Sequence, residues 1–250
     1  MSDINDSNQG PGWNDHSTPT GTIHSYDGNS SSNVSTGGNS GNAHSGITEN
    51  TRLSIATTKN YNGTYMSMCT TNLKVHEGFK NNMYKDSEGN VTVGIGHLLA
   101  NSDMAASLPF TRTRTVHGHG DDMMSEVSVP SSEIRSTFDS YKAGTGSAPT
   151  ALHLSNDAVI GQCIKDVQTT EAGLRGLYSG YDDFSNARKT ALVDMGFNLG
   201  IPKLTKSFPK FNAAVNRGDW NEAAAQSHRT LNQRGDQRNI DTAAQLKSDL

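Results

Sequence analysis

Several features that would assign this chain to other classes of protein are scarce or missing. Only two cysteines occur, Cys69 and Cys163, so the 250 residues can form at most one disulfide. Two buried thiols that act as small apolar residues are the favoured interpretation. No stretch approaches the roughly 18 to 20 apolar residues that a membrane-spanning helix requires. With a net charge of -4, the chain also lacks the basic character that indicates nucleic-acid binding.

The N-terminus lacks the basic and apolar stretches of a secretory signal peptide, since Met1 is followed by Ser-Asp-Ile-Asn-Asp. Gly, Ser and Asn make up 26 of the first 50 residues. Such a segment cannot bury enough apolar surface to offset its ordering entropy, so residues 1–60 are predicted to be a disordered tail.

The rest of the chain, residues 61–250, is predicted to form one mostly helical domain with a small antiparallel sheet, an α+β fold. A hairpin is predicted over residues 83–97, with its turn at Glu88-Gly89-Asn90. Residues 101–153 are interpreted as containing an insertion of unassigned role. Helices are predicted over residues 66–80, 130–141, 184–199, 219–229 and 237–246, and from an N-cap at Ser155 onwards. Gly200-Ile201-Pro202 is expected to end the helix that precedes it.

One run of the chain carries residues suited to hydrolysing a glycosidic bond. Asp86 follows Glu77 by nine residues, and Thr92 follows Asp86 by six. Two carboxylates and a group that orients water are the minimum requirement for hydrolysis with inversion. The surrounding pattern is Glu77-Gly78, then Tyr84-Lys85-Asp86 with Gly89, then Thr92-Val93-Gly94-Ile95-Gly96-His97.

This run resembles the active-site segment of the phage-type lysozymes, the T-even phage endolysins of glycoside hydrolase family 24. The family pattern is Glu-Gly, Tyr-x-Asp-x-x-Gly and Thr-x-Gly-x-Gly-His, and every element is present here. The resemblance resumes at about Leu154 and continues to the C-terminus. It implies a muramidase that cuts the glycan strands of peptidoglycan and needs no cofactor.

The resemblance also assigns roles to the residues of the run. Glu77 is expected to be the general acid, Asp86 to orient or activate the attacking water, and Thr92 to hold that water. Simpler roles stay open for all three: an exposed glutamate at a helix end, an aspartate that caps the turn before Gly89, and an ordinary strand threonine.

Other positions match the family beyond the catalytic run. His97 is expected to pair with Asp166 in a structural role, and Arg238 to pair with the catalytic glutamate, although Arg238 could also be a solvated surface residue. Contacts with the glycan are expected from Leu98, Phe197, Ser207 and Gln226. Leu98 and Phe197 could instead be ordinary core residues.

The loop His117-Gly-His119-Gly-Asp121-Asp122 contains potential metal ligands. Because it has no third anchored ligand nearby and no helical spacing, no metal site is predicted there.

The tail resembles the Gly/Ser-rich translocation segments of colicins, in composition and in the run Gly10-Pro11-Gly12-Trp13. That resemblance implies a bacteriocin whose Trp13 epitope binds Tol proteins, with an outer-membrane receptor and an immunity protein as further partners. Such a protein is made in the cytoplasm and acts in the periplasm of a target cell. A phage endolysin and an inactive glycan-binding module are the alternatives.

Overall fold

The computed structural model describes residues 13–18, 21–26, 65–117, 122–231 and 235–248. The chain divides into two compact units, Glu77–Lys165 and the combination of Met1–His76 with Asp166–Leu250. The helices are α1 (Tyr65–Glu77), α2 (Ser102–Ala106), α3 (Ser131–Ala143), α4 (Asn156–Leu177), α5 (Asn186–Leu199), α6 (Ile201–Ser207), α7 (Pro209–Asn216), α8 (Trp220–Gln226) and α9 (Gly235–Lys247). The strands are β1 (Trp13–Thr18), β2 (Gly21–Tyr26), β3 (Lys80–Lys85), β4 (Val91–Gly94), β5 (His97–Leu98), β6 (Thr111–His117) and β7 (Asp122–Ser128). Many helices beside small antiparallel sheets confirm the predicted α+β fold.

A three-stranded antiparallel sheet in the order β3-β4-β5 lies in the unit Glu77–Lys165. The sequence predicts two strands here, and the structure adds β5 because the chain reverses after Gly94 and His97 pairs back with Val93. The predicted turn is present, since the Gly89 amide donates to the Asp86 carbonyl over 3.1 Å. The buried apolar residues of this segment are Met83, Val91, Val93, Ile95 and Leu99.

Residues 101–153 contain the helices α2 and α3 and a hairpin of β6 and β7. The hairpin was not predicted from the sequence. The hairpin pairs Thr111 with Ser128 at one end and His117 with Asp122 at the other. Its residues show no alternation of apolar and polar types, because no face of this strand pair is buried along its length. Val116, Met123 and Met124 are among its exposed side chains. Helix α3 was predicted over 130–141 and runs two residues further.

The N-cap predicted for α4 is confirmed. The Ser155 hydroxyl accepts a hydrogen bond from the Ala158 amide over 3.1 Å, which satisfies one of the amides that a helix start leaves without a partner. An apolar stripe on this helix is buried, with its members Val159, Ile160, Cys163 and Val167. The helix then continues to Leu177, well past that stripe.

The unit that includes Asp166–Leu250 is built from helices around an apolar centre. Helix α5 is capped by Ser185, whose hydroxyl accepts from the Arg188 amide, and it ends before Gly200 as predicted. The chain does not stay extended there, because α6 and α7 each begin with a proline in the first turn, a position that proline favours. These two short helices were not predicted. In α8 the buried residues are Trp220, Ala223 and Ala224.

Both cysteines are buried thiols, which confirms their interpretation as interior residues. Burial raises the pKa of the Cys69 thiol to about 12. Among the helices of the described ranges, none combines the length and the apolar character needed to cross a membrane.

Within residues 1–60 the structure describes a single antiparallel hairpin, β1 with β2, in which Trp13 is opposite Tyr26. This hairpin was not predicted. The remainder of the predicted disordered tail, and the side chain of Trp13, lie outside the described residues.

Candidate active site

Glu77 is the last residue of α1, and its side chain is half-buried. The helix ends there because Gly78 has a φ of +84°, a left-handed conformation that side-chain-bearing residues rarely adopt. The prediction of a helix to residue 80 was therefore three residues too long. The early end leaves Glu77 on the final turn, next to the start of the sheet.

The Glu77 side chain lies directly against Gly96 of the reversal between β4 and β5. A Cβ at Gly96 would be 3.1 Å from Glu77 Cγ and 3.2 Å from Glu77 Oε2, closer than side chains normally approach. Gly96 also has a φ of +66°. The glycine of this motif is therefore needed twice, for the backbone conformation and for the space that the glutamate occupies.

Asp86 caps the turn that joins β3 to β4. Its Oδ1 accepts hydrogen bonds from the Glu88 amide at 2.9 Å and the Asn90 amide at 2.8 Å, and Oδ2 accepts one from Asn90 Nδ2 at 3.2 Å. The turn-capping role left open by the sequence is therefore present. It does not exclude a catalytic role, because a carboxylate offers about four acceptor positions and three are used here.

Thr92 occupies the centre of the sheet, where its side chain is 4% exposed. Its hydroxyl donates weakly to the Asn90 carbonyl over 3.4 Å. Across the sheet Thr92 is opposite Tyr84 on β3 and opposite Leu98 on β5. Directly opposed residues in antiparallel strands share a face, so these three side chains form one row across the three strands.

Tyr84 extends this row toward the carboxylates. Burial raises the pKa of its phenol to about 12, and the negative charges of Glu77 and then Asp86 contribute to the rise. The phenol is therefore close to both candidate carboxylates. The Lys80 ammonium lies 4.0 Å from the centre of the Tyr84 ring. Tyr84 belongs to the sequence motif, but nothing in the sequence indicated its electrostatic interaction with both acids.

His97 lies at the start of β5, beside the row. Its Nδ1 is 3.4 Å from Nε2 of Gln162 on α4, a contact that the sequence did not predict. The pairing of His97 with Asp166 stays a prediction. Leu98 is 50% exposed, so of the two roles considered for it, contact with substrate fits better than a place in the core.

The remaining predicted residues belong to the helical unit. Phe197 on α5 and Gln226 at the end of α8 are half-buried, and Ser207 at the end of α6 is exposed. Their contact with a glycan stays a prediction.

Arg238 on α9 is buried, so the alternative of a solvated surface arginine is wrong. Its guanidinium donates to both carboxylate oxygens of Asp194, with distances of 3.0 Å from Nε to Oδ2 and 2.9 Å from Nη2 to Oδ1. This is the two-point geometry that arginine favours with a carboxylate. The predicted pairing of Arg238 with Glu77 stays a prediction.

Asp194 is the centre of this ionic cluster and was missed from the sequence. It also binds Arg229, with 2.9 Å between Nη2 and Oδ2. Burial by itself would raise the pKa of Asp194, but the charges of Arg238 and Arg229 outweigh burial and hold that pKa far below its usual range. Asp194 was not recognised from the sequence because its neighbours in α5 are apolar, in the stretch Ala-Leu-Val-Asp-Met.

In the described part of the chain no group of three or more His, Cys, Asp or Glu side chains is arranged to hold a metal ion. Residues 118–121, which include two of the potential ligands considered above, lie outside the described residues.

A glutamate at a helix end, with an aspartate in the adjoining turn and a threonine on the small sheet, is the set of side chains expected of a glycosidase that uses paired carboxylates. Comparison with known proteins then gives the family. The model of the phage lysozyme family matches residues 74–241, and this chain belongs to that family. It is accordingly a lysozyme-type glycosidase, a peptidoglycan hydrolase.

Two similar proteins come from Dictyostelium discoideum. One, named probable T4-type lysozyme 2, is 29% identical over 153 residues, which cover 61% of this chain and 76% of that protein. The other, named probable T4-type lysozyme 1, is 26% identical over 156 residues, with the same coverage of each chain.

Proposed function

We propose that the protein is an N-acetylmuramidase that cleaves the β-1,4 bond between N-acetylmuramic acid and N-acetylglucosamine with inversion. The observation that carries the proposal is the geometry of the small sheet, in which Thr92 on β4 lies opposite Tyr84 on β3. Asp86 caps the turn between these two strands, and the Glu77 side chain lies against Gly96 just after β4. The two acids and the hydroxyl therefore adjoin the same sheet.

Each residue has one task in this mechanism. Glu77 gives its proton to the glycosidic oxygen as the bond to the leaving sugar breaks. A water molecule, oriented by Asp86 and the Thr92 hydroxyl, attacks the anomeric carbon from the opposite side, and Asp86 accepts the proton that this water loses. The product has inverted configuration, and Glu77 must regain a proton from solvent before the next cycle.

The anomeric configuration of the first product tests this assignment. Inversion requires carboxyl groups about 6.5–9.5 Å apart, whereas a nucleophilic carboxylate lies near 5–5.5 Å. We expect NMR of the new reducing end, recorded before mutarotation, to show the α-anomer. A retained β-anomer would mean that a carboxylate attacks the sugar directly, and the role of Thr92 would have to be abandoned.

Replacement of the acid tests the role of Glu77. Glu77→Gln keeps the shape of the side chain but removes the transferable proton, so hydrolysis of purified peptidoglycan should fall by about 10²–10⁴-fold. Glu133→Gln is a suitable control, because Glu133 pairs with Arg112 and has no part in the proposed chemistry. Near-normal hydrolysis by Glu77→Gln would contradict the assignment. If the wild-type protein bound glycan but released no reducing ends, the glycan-binding alternative would be supported.

The biological setting we favour is that of a colicin-like bacteriocin that kills Gram-negative bacteria. Support comes from the composition of the tail and its Trp13 run, which suit passage through a pore and binding to a periplasmic partner. In this setting the protein is made in the cytoplasm, released, and carried through an outer-membrane receptor and Tol proteins to the periplasm of the target. An immunity protein would protect the producing cell.

A phage endolysin is the second candidate, supported by the family itself. The Dictyostelium relatives indicate that the domain also occurs outside phages. Addition of purified protein to intact and to outer-membrane-permeabilised Gram-negative cells separates the two settings. Lysis of intact cells is expected for the bacteriocin, and lysis only after permeabilisation would favour the endolysin.

A further inference from the structure

The phenol of Tyr84 is a polar group in the site whose task the proposed mechanism leaves undefined. Among the described residues, neither a side chain nor the backbone forms a hydrogen bond with its hydroxyl. Half-buried polar groups of a well-packed protein normally have a partner, from the protein or from what occupies the site. A half-buried donor that lies directly opposite Thr92, with no partner among the described residues, therefore points to a ligand.

The position of the ring is fixed by its surroundings. Tyr84 lies opposite Thr92 in the sheet, and the Lys80 ammonium covers the ring at 4.0 Å. A cation over an aromatic face and a strand register both limit side-chain movement. The hydroxyl is consequently held in place before any substrate arrives, which lowers the entropy that a hydrogen bond to that substrate would cost.

The hydroxyl also remains a donor over the range in which the enzyme works. Burial, reinforced by the charges of Glu77 and Asp86, raises the pKa of the phenol to about 12. It is protonated at neutral pH and can donate its hydrogen. Three of the roughly four acceptor positions of Asp86 are taken by its own turn, and the proposed mechanism uses the remaining one for the attacking water. An acceptor supplied by the substrate is therefore the natural partner of the phenol.

We propose that Tyr84 is a substrate-contacting residue, whose hydroxyl donates a hydrogen bond to an oxygen of the amino sugar that undergoes cleavage. This inference rests on the proposed function, because the two carboxylates flank that sugar from opposite sides in an inverting mechanism. Tyr84 lies directly opposite Thr92, the residue that holds the attacking water in this mechanism, and therefore faces the same sugar. Its acceptor would be a ring hydroxyl or the acetamido carbonyl, and no covalent step at Tyr84 is involved.

The test compares Tyr84→Phe with wild type in steady-state hydrolysis of a soluble peptidoglycan fragment. Phenylalanine keeps the ring, its place beside Lys80 and its strand pairing, and removes only the hydroxyl. Loss of one hydrogen bond to the substrate should lower kcat/KM by about tenfold. Tyr141→Phe is the matched control, since Tyr141 also lies beneath a lysine, with 5.3 Å from Lys85 Nζ to its ring. Tyr141→Phe should remain within about twofold of wild type.

A second variant keeps the question answerable if Tyr84→Phe folds poorly. A fluorinated tyrosine introduced at position 84 preserves shape but ionises several pH units lower. Its activity should fall as the phenol loses its proton, at a pH where the wild-type enzyme shows no such step. A purely structural role for the ring would produce no step, and that result would overturn the inference.

Parallel measurement of Glu77→Gln separates this inference from the proposed function. If Glu77→Gln is inactive while Tyr84→Phe equals wild type, the proposed function stands and the role of Tyr84 is refuted. If Glu77→Gln retains full activity, the proposed function fails first. Inactive Glu77→Gln with a tenfold loss in Tyr84→Phe and an unchanged Tyr141→Phe supports both.

Discussion

Replacement of Asp194 by asparagine should destabilise the protein more than any surface change. Asp194 is fully buried and holds the guanidinium groups of Arg229 and Arg238, whose side chains are 1% and 7% exposed. Asparagine has nearly the same shape but no charge, so two buried cations lose their counterion. Breaking a buried ion pair costs about 3–5 kcal/mol. For a domain of this size that corresponds to a fall of about 6–20 °C in Tm.

The pH dependence of stability gives a second measurement on the same variant. Because the folded pKa of Asp194 is held far below that of an unfolded aspartate, about 3.9, its contribution is fully present above pH 4 or so. The contribution declines as the pH falls below that value toward the folded pKa. Wild-type protein should therefore lose stability in this acid window more steeply than Asp194→Asn, as followed by urea unfolding with circular dichroism.

The control is Asp182→Asn, which removes the carboxylate of an exposed pair. Asp182 lies 2.8 Å from Arg175, and its side chain is 69% exposed. Exposed pairs contribute little, so Tm should change by less than about 2 °C. If Asp194→Asn unfolds within about 2 °C of wild type, or if both variants lose the same stability, the central place given to this buried cluster is refuted.

Two further predictions concern the site and the tail. Gly96→Ala should lower hydrolysis strongly because its methyl group would displace Glu77. Gly144→Ala, at a glycine with a similar φ of +75° and nothing within 4 Å, should cost stability but not activity. Equal losses of activity in the two variants would show that backbone strain alone is responsible. Deletion of residues 1–60 should leave hydrolysis of isolated peptidoglycan nearly unchanged but abolish killing of intact cells, with Trp13→Ala reproducing much of that loss. Equal killing by the full-length and shortened proteins would exclude a translocation role for the tail.

The features that could be predicted are those that local chemistry specifies. Ser155 marks a helix start because its hydroxyl satisfies a free amide. The run from Glu77 to His97 was informative because its glycines and acids are required at fixed spacings. The hairpin of β6 and β7 was missed because it buries no face and so leaves no periodic apolar signal. Helices α6 and α7 are only seven and eight residues long, too short for a clear period.

The interactions that escaped prediction depend on residues distant in sequence. Asp194 and Arg238 are 44 positions apart, and nothing local to either one indicates a bidentate pair. Tyr84, by contrast, is near Asp86 in sequence, only two residues before it. Its position relative to Glu77, however, depends on where α1 ends. A helix that ran to residue 80, as predicted, would have carried Glu77 away from a terminal turn.

The hydrogen bonds of Asp86 bear on how activity can be recognised in related sequences. Because this carboxylate holds the turn between β3 and β4 through two backbone amides and one side-chain amide, the fold alone is a reason to retain an aspartate there. A descendant that had lost hydrolysis could keep Asp86 for its architecture. Asparagine could supply one oxygen to the same turn. An aspartate-to-asparagine exchange at this position would therefore preserve the shape of the turn while removing the carboxylate that the proposed mechanism uses as a base. Under the proposed mechanism, Glu77 is therefore the residue whose presence indicates a working enzyme.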